Sequence, residues 1–205
     1  ISYSVYLNNS FLPGLLQLMI LLVTVFSIGS EMKRATSREW LRTADDSIII
    51  AITGKLIPQT IIFFSMGLLY LSLLYGYLHF PMHNSIWHMI FAMFLLVVAS
   101  QSFAVIIMCF APSLRIGLSV GGLVGVLSLS IAGFSFPVPA MYLPFQAISY
   151  VLPVRHYFLI YVDQALNGIP LYYSRVHYVA LILFAVASTP LLPRLKKALM
   201  RQVYV

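Results

Sequence analysis

Few side chains in this protein are equipped for chemistry, and their spacing decides what that chemistry is. His79, His83 and His88 bring three imidazoles close together in sequence. Pro81, between the first two, spoils the i,i+4 geometry of a helical ligand pair, and no carboxylate or cysteine joins them. They read as interfacial histidines, not as zinc ligands. Arg155, His156 and Asp163 are the groups a membrane-embedded lipid-modifying enzyme would use, with its site in an outer hairpin, and they define the alternative function. Arg155 and Asp163 are two helical turns apart and would share one face. There is no glycine-rich phosphate loop, no HExxH motif, and no serine or cysteine nucleophile beside a base. Cys109 is the single cysteine, so no intrachain disulfide can form. The expectation is a chain with no catalytic, metal-ligating or cofactor-binding residue of its own.

Residues 31–46, EMKRATSREWLRTADD, hold four of the five acids (Glu31, Glu39, Asp45, Asp46) and four of the twelve basic residues (Lys33, Arg34, Arg38, Arg42). Apolar runs flank this island. It cannot lie in a bilayer core, where each central charge costs roughly 2.5–3.5 kcal/mol. It must sit at the membrane face. Thr36 and Glu39 fit a capping box, predicting a helix over 37–44 with Trp40, Leu41 and Ala44 on its apolar side. Arg42 and Asp46 are spaced to pair. The mixed charge favours a protein partner over lipid headgroups, which would select a cationic face.

The elements that position these residues are membrane spans. Hydrophobic residues make up 61% of the 205 and charged residues only 8%, which excludes an ordinary water-soluble domain. Apolar runs predict spans over 11–29, 48–78, 86–110, 116–134 and 176–192. Pro13-Gly14 opens the first. Pro58 is placed to kink the second, and Lys55 to snorkel to the near face. Ten of the twelve basic residues fall on the side of the 31–46 island; only Arg155 and Arg175 fall on the other. That asymmetry makes the island and the basic tail 193–205 cytoplasmic, and the start of the chain outer. It also explains the net charge of +7 without nucleic acid. Five spans starting outside imply a further upstream span, so the chain reads as part of a longer protein.

Residues 135–175 carry Pro137, Pro139, Pro144 and Pro153 among apolar pieces too short to cross, which predicts an outer re-entrant helical hairpin. Tyr142, Tyr150, Tyr157, Tyr161, Tyr172 and Tyr173 suit an interface. Gly117, Gly121 and Gly125 line one helix face, for packing within the bundle or against a second subunit. Gln17, Gln59, Gln101 and Gln146 either line a pathway or bridge helices. The fold class is an all-α integral membrane protein: five transmembrane helices, a cytoplasmic interfacial helix and an outer hairpin, forming a single transmembrane domain over 1–205.

At these residues the chain resembles the C-terminal membrane portion of ABC-2 type transporter permeases. Asn8, Asn9, Pro13 and Gly14 match the family's start of its second span. Glu31, Thr36, Glu39, Gly54, Lys55 and Pro58 match its loop and following helix, with Ala35 where members carry glycine. Leu152, Pro153, Tyr157, Asn167 and Gly168 match its outer hairpin. The resemblance implies the membrane subunit of an exporter in the bacterial inner membrane. ATP and Mg would be held by a separate cytoplasmic ABC ATPase. The other implied partners are a second permease subunit, identical or paralogous, membrane lipid and a periplasmic adaptor protein. The island would be the coupling helix that docks the ATPase. Trp40 and Leu41 would be its apolar anchors, Arg38, Glu39 and Arg42 would set register by charge, and Glu31 and Thr36 would flank them. Pro153, Arg155, Tyr157 and Asp163 would form the outer gate.

Overall fold

Where backbone polar groups cannot reach water, a chain this apolar satisfies them inside helices. The computed structural model describes residues 3–80, 82–133 and 138–201, and the regular structure among them is entirely helical. In chain order the helices are α1 (Tyr3–Lys33), α2 (Ser37–Arg42), α3 (Ile48–Leu71), α4 (Ile86–Phe110), α5 (Leu114–Ile131), α6 (Leu143–Tyr150), α7 (Pro153–Tyr161), α8 (Leu171–Val186) and α9 (Leu192–Arg201). α3 runs on into a π-helical turn, Ser72–Tyr77, and α7 into another, Val162–Leu166.

Five segments are long and apolar enough to cross a membrane: Phe11–Lys33, Ile48–Tyr77, Ile86–Phe110, Leu114–Ile131 and Leu171–Arg201. The first helix does not open at Pro13-Gly14 but begins at Tyr3 and passes through the proline. α3 likewise continues through Pro58. The fifth crossing helix starts at Leu171, inside the stretch assigned by sequence to the outer hairpin.

α4 is apolar all round and is the central helix, as such a pattern requires. It packs against α1, α3, α7 and α8, and α5 packs on α1. Small residues let neighbours approach α4 closely: Ala92, Ala99, Ser100 and Ala104 are all fully buried. α3, α5 and α8 bury one side and expose rows of apolar residues on the other, among them Ile57, Ile61, Leu123, Val126, Val179 and Leu183.

The core divides along its length. At one end, the basic end, Val25, Met32, Leu41, Ile52, Met108 and Leu195 form one cluster. At the other, the proline-rich end, Leu71, Met93, Leu96, Tyr157, Tyr161 and Leu181 form a second. Between them is a polar layer. Thr24 Oγ1 donates to Gln59 Oε1 at 3.2 Å, Thr60 Oγ1 to Gln101 Oε1 at 2.8 Å, and Gln101 Nε2 to the Leu56 carbonyl at 3.3 Å. These amides bridge α1, α3 and α4, and Gln17 bridges further elements described below.

Candidate functional site

The polar island is built as two short turns around one helix. α1 ends in a Schellman motif: Thr36 N–H reaches the Glu31 carbonyl at 3.1 Å and Ala35 N–H the Met32 carbonyl at 3.3 Å. Ala35 sits in the left-handed region at φ +57°, the conformation for which glycine is preferred. α2 ends the same way, with Asp46 N–H on the Leu41 carbonyl at 2.9 Å and Asp45 at φ +50°. The chain therefore reverses twice within a few residues, and α2 is pinned at both ends.

The predicted capping box does not form. The Thr36 side chain makes no cap bond to α2; its hydroxyl donates instead to Glu31 Oε2. Glu31 Oε1 takes an ion pair from Lys55 Nζ at 2.6 Å, and the same ammonium donates to the Ser27 carbonyl at 2.7 Å. Lys55 also lies 4.4 Å from the centre of the Trp40 ring, a cation–π contact. Glu31, Thr36, Trp40 and Lys55 thus form one knot joining α1, α2 and α3. It is the single ion pair among the described residues, so Arg42 and Asp46 do not pair.

Leu41 is 2% exposed and belongs to the core of its own chain, with Ala44 and Ile48 beside it. It cannot anchor a partner without being extracted. Trp40 is half-buried against the same cluster. Arg38, Glu39 and Arg42 are exposed. Glu39 in the first turn of α2 and Arg42 in the last both match the helix dipole. Beside α2 is a groove of about 290 Å³ lined by Trp40, Thr43, Ala44, Ile50, Ala51, Gly54 and Lys55.

The basic tail is helical as far as Arg201. α9 turns Leu192, Leu195 and Leu199 inward, and they join the cluster that buries Leu41. Their 3,4 spacing was legible as a helical stripe, and the tail's charge obscured it. Lys196 Nζ donates to the Asp46 carbonyl at 2.5 Å, and Arg194 lies 4.8 Å from the centre of the Phe110 ring. α2 and α9 together close the basic end.

At the proline-rich end, Pro144 and Pro153 occupy the first turns of α6 and α7, where a missing N–H costs nothing. Phe134, Ser135, Phe136 and Pro137 lie outside the described residues, as does Pro81. α6 exposes Leu143, Phe145 and Ile148, whereas α7 is buried nearly throughout. Gln17 holds α7 in place. Its Oε1 accepts the Val154 N–H at 2.8 Å, an otherwise unpaired first-turn donor, and its Nε2 donates to Ser128 Oγ on α5 at 3.0 Å. Tyr157 and Tyr161 are core residues, each 1% exposed, and not interfacial as expected; Tyr142, Tyr150, Tyr172 and Tyr173 are exposed.

Arg155 and Asp163 do not meet. Arg155 Nη1 donates to the Ala132 carbonyl at 3.4 Å and its guanidinium lies over Tyr150, while Asp163 Oδ2 accepts from Ser174 Oγ at 3.0 Å. His156 Nε2 contacts the Tyr150 carbonyl at 3.0 Å, and its Nδ1 is buried without a partner among the described residues. Burial pushes the His156 pKa below the ordinary imidazole value, against the opposing bond to Tyr150. The three groups of the enzyme reading are therefore separately engaged, and nothing supports a catalytic set. His83 Nδ1 contacts the Ala165 carbonyl; at His88 it is the backbone carbonyl that accepts, from Tyr178, while its Nδ1 is buried without a partner among the described residues.

Gly117, Gly121 and Gly125 face α1 of the same chain. A Cβ on Gly117 would stand 3.0 Å from Val25 Cγ1, and one on Gly125 would stand 2.2 Å from Leu18 Cδ1. The stripe is helix packing within the bundle and is not free for a second subunit.

No curated protein and no solved structure matches the chain. A family model does: that of the ABC-2 family transporter proteins, over residues 2–192. With its five apolar helices, this multi-pass membrane protein belongs to the ABC-2 transporter family.

Proposed function

We propose that the chain is the membrane subunit of an ATP-driven exporter and that α2 is the lever through which a separate cytoplasmic ABC ATPase moves it. The observation that carries this is the division of α2 into a bound side and a free side. Leu41 and Trp40 lock it to α1 and α3, and the Glu31–Lys55 pair ties those two helices together beneath it. Arg38, Glu39 and Arg42 are left exposed at the basic end. A force applied to a helix held this way passes to two crossing helices at once. A loosely tethered loop would dissipate it.

The ATPase contact is then polar and carried by Arg38, Glu39 and Arg42, with the groove beside Trp40 open to a partner side chain. Trp40 and Leu41 act inside the permease, as supports. ATP and Mg belong to the partner. A second permease copy or paralogue completes the pathway, using the exposed apolar faces and not the glycine stripe. The basic end faces the cytoplasm and cargo moves outward. α7, capped by Gln17 from within α1, is consistent with a re-entrant hairpin, since Gln17 lies about 9 Å along the helix from the start of the apolar span.

The test is co-purification of ATPase activity with the full-length protein in mild detergent. Glu39→Lys is expected to lower the co-eluting activity at least about tenfold while lowering the permease's thermal midpoint only slightly, because Glu39 is exposed and its interaction with the helix dipole contributes only about 0.3–1 kcal/mol. Co-purification unchanged in this variant and in Arg42→Glu would remove α2 as the docking element. No ATPase with the wild type would remove the exporter reading itself.

A further inference from the structure

We propose that the cleft between α1 and α5 at the basic end binds the headgroup of an anionic phospholipid. The cleft has a volume of about 210 Å³ and is lined by Phe26, Ser30, Lys33, Arg34 and Leu114. It is made by a close approach of the two helices: a Cβ on Gly29 would stand 3.0 Å from Leu114 Cα. Leu114 therefore closes its floor beside α1.

The four α1-side residues form one stripe at i, i+4 and i+7/i+8 spacing, so they share a face. Along that stripe the chemistry changes from an aromatic ring to a hydroxyl to two cations, over about 11 Å. A glycerophospholipid changes in the same order, from acyl chain through ester to phosphate. Phe26 is 53% exposed on the lipid-accessible side of α1, and α1 leaves the apolar span at Lys33. The stripe thus crosses the depth at which headgroups lie.

Charge selects the occupant. The Lys33 and Arg34 side chains are exposed and make no hydrogen bond or ion pair to a described residue. The nearest acid in sequence, Glu31, is bonded to Lys55 and Thr36, and Arg34 reaches it only as a nearby charge. A zwitterionic headgroup would bring its own cation against this pair, whereas an anionic one would not. Free phosphate would satisfy the cations and leave Phe26 and Leu114 uncovered. Placing this lipid in the inner leaflet rests on the orientation proposed above; the headgroup chemistry does not.

The test is native mass spectrometry of the full-length protein released from nanodiscs of phosphatidylcholine mixed with phosphatidylglycerol. The wild type is expected to retain phosphatidylglycerol preferentially. Lys33→Gln and Arg34→Gln should each lower that preference about fivefold, and the double variant further. Lys197→Gln/Arg201→Gln, which removes two exposed cations from α9, should leave it intact. The proposal fails if the wild type shows no preference, or if the α9 pair loses as much as the cleft pair, which would mean diffuse surface charge. It fails also if excess inorganic phosphate removes the preference, which would mean a simple anion site. Glu39→Lys should keep the lipid preference while losing the ATPase, so the two proposals can fail separately.

Discussion

Ala35 shows how much one residue contributes to the end of a helix. The Schellman turn after α1 needs a left-handed residue, and an alanine supplies it at φ +57°. That conformation costs a non-glycine residue roughly 1–2 kcal/mol. Glycine would remove the cost while losing roughly 0.4–1 kcal/mol through a freer unfolded chain. Ala35→Gly is therefore expected to stabilise the protein by up to about 1.5 kcal/mol, read as a higher midpoint of thermal unfolding in detergent, and Ala35→Val to lower it. A lower midpoint for the glycine variant would mean that the turn is not strained. The same turn explains why Thr36 does not cap α2. Its hydroxyl is delivered to Glu31, inside the turn, and a sequence motif for capping cannot anticipate a nearer acceptor. Glu31 and Lys55 were each legible as polar residues near one membrane face. That they meet depends on α1 and α3 lying side by side, which residue spacing does not encode.

At the level of elements, the long apolar helices were legible because about 20 apolar residues have few alternatives to crossing. Helix limits were less so. The fifth crossing helix begins at Leu171, because Tyr172, Tyr173 and Arg175 are amphipathic enough to sit in its first turns, where hydropathy reads them as loop. The Arg175 side chain folds onto the Tyr172 ring, 3.8 Å from its centre. Proline spacing predicts breaks near α6 and α7, yet Pro153 opens α7 and Pro144 is the second residue of α6. The glycine stripe was recognised, but only the fold shows that α1 occupies it. Gly125→Val is expected to destabilise the bundle by about 1–3 kcal/mol through overpacking against Leu18. Gly122→Ala, whose new methyl would lie 3.9 Å from Leu22, should be close to neutral. Thermal unfolding of the two variants checks this. A Gly125→Val protein of unchanged stability that lost only its self-association would restore the subunit-interface reading.

For the whole molecule, the basic residues divide between the two ends as a membrane protein of fixed orientation requires. The orientation can be tested directly, since Cys109, the single cysteine of this sequence, is buried. Tyr142→Cys, at an exposed position of the proline-rich end, is expected to react with a membrane-impermeant maleimide on intact cells. Arg38→Cys should react only after permeabilisation. The opposite pattern would invert the topology and place α2 away from any cytoplasmic ATPase.

Composition and hydropathy by themselves determined that this is a multi-pass helical membrane protein with one polar helix among its crossings. The physical reason is solvation: lipid and water sort side chains by chemistry, and that sorting is one-dimensional. The family resemblance was legible for the same reason, because its motifs lie in order along the chain. Only the tertiary structure decided which polar residues serve the fold and which remain free. Glu31, Lys55, Trp40 and Leu41 hold α2 from within, Gln17 caps α7 from a helix more than a hundred residues earlier in the chain, and Arg155 and Asp163 take different partners. Such pairings depend on which helices become neighbours. That is settled by close packing around α4 and by satisfying each buried polar group, and neither can be computed from local pattern.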